Sequence, residues 1–288
     1  MIGPKELEYF EQKLPRFSLD KNTGVVIAAD SNVFLGVQVL ITSLKRKCSI
    51  LCYDLGLTEL EKQWCSSQGI TLKEVPPTPI AKNIECWQTY YKPWLLKDSP
   101  FDYTLWLDTD CVVIGNLEET NLIANQQTFF VKHWVQDRRL KHNSFELYSI
   151  FPTNANQTAN INAGVIGIHK KDIKIIDDWI TLLEHCFLKD LSMLELIGAW
   201  DEGGLRWSIE YNGAFHKITA DYKYNAYTGV GKSEYQDISH SPNLILKPSN
   251  HPYILFKNLL ELRPQAYILH FATCLNNSTK YWNLLKKQ

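Results

Sequence analysis

Short apolar runs closed by polar residues recur along the first third of the chain. Two of these runs end in an aspartate, Asp30 and Asp54, and a third is closed by two prolines. The residues between the runs carry apolar side chains at helical spacing, and Thr58 and Glu61 form a capping-box pattern. This alternation predicts a mostly parallel sheet with helices on both faces. The predicted strands cover residues 24–30, 49–54 and 70–75, and the predicted helices cover residues 34–44 and 58–69.

The same alternation continues through the rest of the chain. A helix over residues 86–97 is expected to kink or restart near Lys92, because the following Pro93 is tolerated only in the first turn of a helix. We interpret residues 1–23 as an N-terminal extension and residues 24–288 as one continuous domain. Sheets of this kind bind ligands at the carboxyl ends of their strands. Further strands are predicted at residues 103–107, 129–131 and 162–168, and a helix at residues 172–188.

The most unusual segment is an apolar run, residues 104–113, that two carboxylates interrupt. Side chains at positions i and i+2 of an extended segment point the same way, so Asp108 and Asp110 are expected to converge. Because bare buried carboxylates are costly, the pattern favours a divalent cation between them. In the alternative interpretation, one aspartate caps a turn and the other is solvated at a strand end.

The composition narrows the class of protein. The 288 residues carry a net charge of -1 and are 45% hydrophobic, which fits a globular protein and does not favour a nucleic-acid groove. Seven cysteines without a Cys-x-x-Cys pair predict thiols in a reducing compartment. The sequence shows no secretory signal and no apolar stretch long enough to span a membrane. A cytoplasmic protein is therefore expected, and the segment Leu284–Lys287 leaves peripheral membrane contact open.

Several short motifs follow one another in an order that is known from one enzyme family. They are Ala28-Ala29-Asp30, Lys92, Leu107-Asp108-Thr109-Asp110, Asn162-Ala163-Gly164, Trp200-Asp201-Glu202-Gly203, His270-Phe271 and Lys280-Tyr281-Trp282. In this order they resemble the GT-A class of nucleotide-sugar glycosyltransferases, and within it family 8, which contains glycogenin and bacterial galactosyltransferases. The resemblance covers residues 24–282. It implies a single Rossmann-like α/β domain with a mostly parallel central sheet and flanking helices.

The resemblance also implies a metal site. Asp108, Asp110 and His270 would be the ligands of Mn²⁺, with Mg²⁺ as the alternative, and the ion would bridge the diphosphate of a UDP-sugar. An imidazole among carboxylates favours Mn²⁺ over Mg²⁺, and such an ion stabilises the charge of a leaving diphosphate. Taken alone, a histidine in an apolar run is more typical of a protein core.

The same resemblance assigns further positions to the donor substrate. Lys92 and Lys280 match lysines near the nucleotide or its phosphates, although each is also compatible with an inert surface lysine, and Tyr281 stands where the family has proline. Asp30 is a candidate for base or ribose contact, whereas Asp54 is interpreted as a turn residue. The expected donor-binding residues are Ala28, Ala29, Asp30, Lys92, Asp108, Thr109, Asn162, Ala163, Gly164 and Lys280.

Asp201 and Glu202 are the expected catalytic residues. Asp201 matches a family aspartate that hydrogen-bonds sugar hydroxyls, and Glu202 replaces the glutamine that follows it. A carboxylate there would stabilise developing positive charge, act as a nucleophile, or be turned away from the sugar.

The implied activity is retaining transfer of a hexose from a UDP-sugar to a hydroxyl of a glycan, a protein or a small molecule. Two alternative functions are compatible with the sequence. One is a catalytically inactive nucleotide-sugar or glycan-binding protein on the same fold. The other is a sugar nucleotidyltransferase, which the absence of a glycine-rich loop after the first strand disfavours.

Overall fold

Strands and helices alternate along the chain. The computed structural model describes residues 19–44, 48–80, 87–113, 115–132, 151–153, 159–197, 200–224, 226–227 and 268–270. Within them the strands are β1 (Thr23–Asp30), β2 (Ser49–Gly56), β3 (Thr71–Glu74), β4 (Tyr103–Leu107), β5 (Cys111–Val113), β6 (Phe129–Lys132), β7 (Ile161–His169), β8 (Ile218–Thr219), β9 (Ala226–Tyr227) and β10 (Ile268–His270). The α-helices are α1 (Phe34–Leu44), α2 (Glu59–Ser67), α3 (Trp87–Tyr90), α4 (Lys92–Lys97), α5 (Asn121–Ala124), α6 (Lys174–Leu188), α7 (Met193–Ile197) and α8 (Trp200–Tyr211).

A seven-stranded sheet in the order β3-β2-β1-β4-β7-β6-β8 forms the centre of the protein. The pairs β1–β2, β1–β4, β2–β3 and β6–β8 are parallel, which confirms the prediction of a mostly parallel sheet. β7 runs antiparallel to both of its neighbours, β4 and β6. The carboxyl ends of β1, β2 and β4 therefore share one edge of the sheet with the amino end of β7. A second, small sheet has the order β5-β10-β9.

The central sheet buries an apolar layer on each face. Along β1, Val25 and Ile27 belong to one layer and Val26 belongs to the other, because successive side chains of a strand point to opposite faces. Helix α1 contributes Leu40 to the first layer, and helix α6 contributes Trp179 to the second. Helices thus cover both faces of the sheet, as the alternation predicts.

Local signals in the sequence are found where they were expected. The capping box at the start of α2 is formed: Glu61 N donates to Thr58 Oγ1, and Thr58 N donates to Glu61 Oε2 at 2.7 Å. Pro93 lies in the first turn of α4, which begins directly after the break that ends α3. Asp54 is confirmed as a turn residue, because its Oδ1 accepts hydrogen bonds from the amides of Gly56 and Leu57.

Most element boundaries differ from the predicted ones by one or two residues. The third strand covers residues 71–74 rather than 70–75, and the predicted helix over 172–188 begins at Lys174, after a 3-10 turn at Lys170–Asp172. Lys280 and its neighbours, like most of the proposed N-terminal extension, lie outside the described residues. Among the residues that the structure describes, no helix is long and apolar enough to cross a bilayer.

Candidate functional site

The acidic pair lies in a turn rather than along a strand. β4 ends at Leu107, and the amide of Cys111 donates to the carbonyl of Asp108 at 2.9 Å before β5 begins. The expectation that strand alternation aligns the two aspartates is therefore wrong. The carboxylates nevertheless converge, on His270: Asp110 Oδ1 lies 3.2 Å and Asp108 Oδ2 lies 4.0 Å from His270 Nε2. The turn places both carboxylates beside His270 of β10.

His270 reaches the acidic turn because β10 pairs with β5. The pairing is antiparallel, with His270 opposite Cys111. The imidazole is 3% exposed and lies directly over Gly164 of β7, where a Cβ atom would come within 2.1 Å of His270 Cε1. Any side chain at position 164 would displace the ring. The glycine of the Asn162-Ala163-Gly164 motif thus makes room for a protein side chain.

Lys92 is a buried lysine at the centre of the site. Its side chain is 5% exposed, and its Nζ lies 3.0 Å from Asp108 Oδ1 and 2.5 Å from Asp201 Oδ2. It also donates to the carbonyl of Ala163 at 2.8 Å. The alternative of a surface lysine is wrong, because this buried ammonium group connects the first residue of α4 to the acidic turn, to β7 and to α8.

The two oxygens of Asp108 face different partners. Oδ1 accepts a hydrogen bond from Trp106 Nε1 at 2.7 Å and pairs with Lys92, whereas Oδ2 lies toward His270. Trp106 lies near the end of β4, two residues before Asp108, and this hydrogen bond joins its indole to the first carboxylate of the turn. Lys92 also lies over the indole ring, 5.3 Å from its centroid. Trp106 therefore orients a carboxylate that it precedes by two residues.

A register shift in β7 makes backbone groups available to the site. Phe130 of β6 pairs with Ile166, but the next residue, Val131, pairs with Asn162, so residues 163–165 have no partner on β6. The carbonyl of Ala163 instead accepts from Lys92, and its amide hydrogen-bonds to the carboxyl of Glu202. Such irregularities re-aim backbone and side chains near functional sites.

Asp201 and Glu202 lie in the first turn of α8, where the partial positive charge of a helix N-terminus stabilises carboxylates. Asp201 is 7% exposed and pairs with Lys92. Glu202 Oε1 accepts from Asn162 Nδ2 at 2.8 Å. The structure therefore brings both predicted catalytic residues and the Asn162-Ala163-Gly164 motif together with the acidic turn.

Burial by itself favours the uncharged form of each group in the site. At Lys92 this effect is outweighed by Asp108 and Asp201, which raise the pKa of the ammonium group. At Asp108 burial is outweighed by Lys92 and His270, which lower the pKa of the carboxyl. At His270 burial is outweighed by Asp110 and Asp108, which raise the pKa of the imidazole. At Asp201 burial dominates and raises the pKa.

Glu202 is a carboxyl of the site whose pKa lies near neutral pH. Burial, followed by the charge of Asp201, raises its pKa to about 7, although Arg206 and Lys92 act in the opposite direction. A carboxyl with this pKa is present in both its protonated and its ionised form at neutral pH. Perturbed carboxyls in a cluster of convergent polar groups are typical of functional sites.

The donor set and the charge of the cluster fit a divalent cation. Asp108 Oδ2, Asp110 Oδ1 and His270 Nε2 approach one another from the acidic turn and β10. The carboxylates of Asp108 and Asp201 pair with the ammonium group of Lys92, and the carboxylate of Asp110 pairs with the imidazole of His270. Carboxylate oxygens with one imidazole suit Mn²⁺ or Mg²⁺.

The end of β1 forms the other part of the candidate site. Asp30 Oδ1 accepts from the amide of Asn32, and Oδ2 accepts from Asn32 Nδ2 and Gln88 Nε2. The carboxylate thus holds its own turn and links it to α3. Ala29 is buried and Ala28 is partly buried. The described geometry gives Asp30 a turn-forming role, and its expected contact with a base or ribose stays a prediction.

Sequence reasoning missed three residues that shape the site. Gly36 of α1 lies against the acidic turn, since a Cβ atom there would come within 2.4 Å of the carbonyl oxygen of Thr109. Trp106 orients Asp108, and Cys111 faces His270 across the β5–β10 pair. Two signals were available: a glycine inside a helix two residues into its first turn, and a tryptophan two residues before the first aspartate.

We expect Gly164→Ala to weaken Mn²⁺ binding by about tenfold or more, because the added methyl group displaces His270. The matched control is Gly167→Ala on the same strand, where a Cβ atom would overlap Tyr103 and Phe129 instead. Both variants should lose stability, but only the first should lose metal affinity, measured as free Mn²⁺ by electron paramagnetic resonance. Equal Mn²⁺ affinities in the two variants would contradict the placement of His270.

We expect Trp106→Phe to lower Mn²⁺ affinity by roughly 10–100-fold, because Asp108 loses the donor that orients it. The control is Trp179→Phe, since the indole nitrogen of Trp179 is buried without a hydrogen bond in the described part of the chain. Isothermal titration calorimetry with Mn²⁺ compares the two. Unchanged affinity in Trp106→Phe would mean that Asp108 needs no orientation.

Glu202→Gln should change how stability depends on pH. Below the ordinary pKa of 4.5 the carboxyl is protonated in both states, whereas between pH 4.5 and about 7 only the unfolded chain ionises it. The wild-type protein should therefore lose roughly 3 kcal/mol relative to the variant as the pH rises through this window. Urea unfolding at a series of pH values measures the difference. The exposed Glu184→Gln on α6 controls for the residue change, and parallel curves for Glu202→Gln and wild type would refute the burial effect.

Comparison with known proteins supports the fold. The crystal structure of an active-site mutant of LgtC matches with 17% sequence identity and a TM-score of 0.50, and the match covers 86% of each chain. The galactosyltransferase LgtC in complex with donor and acceptor sugar analogues matches with 16% identity and a TM-score of 0.47, again over 86% of each chain. The apo form of the glycosyltransferase GlyE of Streptococcus pneumoniae TIGR4 matches with 17% identity and a TM-score of 0.42, over 86% of this chain and 54% of that one.

No protein-family model and no curated protein sequence matches the chain. At this level of identity the structural match to the LgtC mutant speaks for the fold alone. The mixed, mostly parallel seven-stranded sheet with helices on both faces agrees with it. The chain has a GT-A, Rossmann-like α/β fold and resembles LgtC.

Proposed function

We propose that the protein is a metal-dependent glycosyltransferase that moves a hexose from a UDP-sugar to an acceptor hydroxyl with retention of anomeric configuration. The observation that carries this proposal is the convergence of Asp108, Asp110 and His270 beside Lys92, Asp201 and Glu202, at the edge where the parallel strands end. Ligands of open α/β sheets bind at this edge. A hard cation held by carboxylates suits a nucleotide-sugar diphosphate better than it suits a neutral ligand.

The metal ion, held by Asp108, Asp110 and His270, would neutralise charge on the departing diphosphate. Trp106 and Lys92 keep Asp108 in one orientation, with Oδ2 toward His270. A preorganised carboxylate does not have to rearrange during the reaction, which is how such sites lower a barrier. In this proposal, Ala28, Ala29 and Asp30 at the end of β1 bind the nucleoside.

Asp201 and Glu202 act on the sugar in this proposal. Lys92 already binds Asp201 Oδ2, so the second oxygen of Asp201 is the one assigned to a sugar hydroxyl. Asn162 and the amide of Ala163 hold the carboxyl of Glu202. When ionised, that carboxylate stabilises the positive charge of an oxocarbenium-like transition state. We assign the acceptor proton to the departing phosphate, with attack on the face that the leaving group vacates.

A catalytically inactive binding protein is the rival that one observation favours. Lys92 forms ion pairs with one oxygen of Asp108 and one oxygen of Asp201. Such ion pairs fit a purely structural cluster equally well. The two functions differ in turnover. A binding protein retains the intact UDP-sugar, whereas a transferase releases UDP.

UDP release from a panel of UDP-sugars tests the proposed function. We expect release that stops with a chelator and returns with Mn²⁺, and a loss in kcat/KM of at least about a hundredfold in Asp110→Asn, because a ligand should cost more than a residue that only supports one. The control is Asp102→Asn, at the opposite end of β4, where the carboxylate is 52% exposed.

The outcomes separate the rivals. Mn²⁺-dependent binding without UDP release identifies a binding protein, and pyrophosphate production from a sugar phosphate and a nucleoside triphosphate identifies a nucleotidyltransferase. Equal activity in Asp110→Asn and Asp102→Asn refutes the metal assignment. The anomeric configuration of the product, read by nuclear magnetic resonance, tests retention.

A further inference from the structure

Cys111 occupies an unexpected place beside the acidic turn. It is the first residue of β5, is fully buried, and pairs with His270 across the antiparallel β5–β10 ladder. Side chains of directly opposed residues in such a ladder lie on the same face of the sheet. The thiol and the imidazole are thus neighbours as a result of strand register, independently of any resemblance to other proteins.

The ligating atoms of Asp110, Cys111 and His270 all lie within 4.8 Å of one another. Ligands at 2.0–2.3 Å from one tetrahedral cation are separated by about 3–4 Å, so a small adjustment of side chains brings this set to bonding distance. Cys111 Sγ currently donates to the carbonyl of Gly164 at 3.7 Å. The same glycine gives His270 its space, so both ligands rest on one short piece of β7.

This set differs in chemistry from the set assigned to Mn²⁺. A thiolate and an imidazole are soft or borderline ligands that select Zn²⁺ and its heavier analogue Cd²⁺, whereas two carboxylates and an imidazole suit harder cations. Asp110 and His270 are common to both sets. The third ligand of the Mn²⁺ set is Asp108, whose side chain is 31% exposed. The third ligand of the thiol-containing set is Cys111, which is fully buried.

We propose that Asp110, Cys111 and His270 form an inner site for thiophilic divalent cations, and that occupancy of this site by Zn²⁺ or Cd²⁺ excludes Mn²⁺ from the outer site. Binding forms a sulfur–cation bond and releases the thiol proton to solvent, so no oxidant or reductant is required. The fourth position of a tetrahedral ion is left to water, as in zinc sites with three protein ligands. The inner site itself does not rest on the proposed function. Its exclusion of Mn²⁺ does, because the outer site is the metal site of that proposal.

Cadmium titration under reducing, oxygen-free conditions tests the inner site directly. We expect a thiolate-to-cadmium charge-transfer absorption in the wild-type protein that is lost in Cys111→Ser, with a fall in Cd²⁺ affinity of more than about tenfold. Serine keeps a donor for the Gly164 carbonyl, so the fold should be retained, and thermal unfolding checks this. Asp108→Asn should keep the absorption while its Mn²⁺ affinity falls. Equal absorption in wild type and Cys111→Ser would overturn the proposal.

Cys48→Ser is the matched control for the other thiols, because Cys48 is only partly buried and belongs to neither β5 nor β10. It should leave the Cys111-dependent absorption unchanged. A second measurement needs no variant: Cd²⁺ added to the Mn²⁺-loaded wild-type protein should release Mn²⁺ in proportion, read by electron paramagnetic resonance. Simultaneous binding of both ions would overturn the proposal. Because the cadmium absorption needs neither Mn²⁺ nor a sugar, its absence is distinct from failure of the proposed function.

Discussion

The buried ammonium group of Lys92 is the interaction on which the candidate site depends. It joins the acidic turn after β4, the carbonyl of Ala163 on β7 and the first turn of α8. A buried charge is tolerated only where several partners compensate for its lost hydration, and removal of one partner from such a pair typically costs about 3–5 kcal/mol. Lys92 has partners from three segments that are distant in sequence. The folding of each segment is therefore coupled to the position of the other two.

The same cluster holds like charges close together. Asp108 and Asp201 share the ammonium group of Lys92, and Glu202 has its pKa raised to about 7 by burial and by the charge of Asp201. Such repulsion lowers the stability of the folded chain, and it is retained at sites where function needs the charges. The structure concentrates this unfavourable charge at one edge of the sheet, while the two apolar layers provide the stability that offsets it.

Much of the fold could be predicted from the sequence because the signals are local. The apolar runs of β1, β2 and β4, the capping box at Thr58 and the proline at the start of α4 each determine structure within a few residues. The antiparallel direction of β7 could not be predicted, because no local pattern encodes the neighbour of a strand.

The candidate site shows the same division. The residue types and their order could be read from the sequence, but the geometry of the site could not. Asp108 and Asp110 converge through a turn, Lys92 is buried by segments more than 70 residues away, and Gly164 makes room for His270. These relations depend on tertiary contacts between segments that are far apart in the sequence. In the sequence, Cys111 is one of seven scattered cysteines. Only the pairing of β5 with β10 shows that it lies opposite His270.

The close approach of Gly36 to the carbonyl of Thr109 has a consequence for ligand selection. Helix α1 starts a few residues after the end of β1, so this contact sets the separation between that strand end and the acidic turn. Gly36 has no side chain whose rotation could change this separation. Under the proposed function, a nucleotide that touches both the end of β1 and the acidic turn would have to match this one separation.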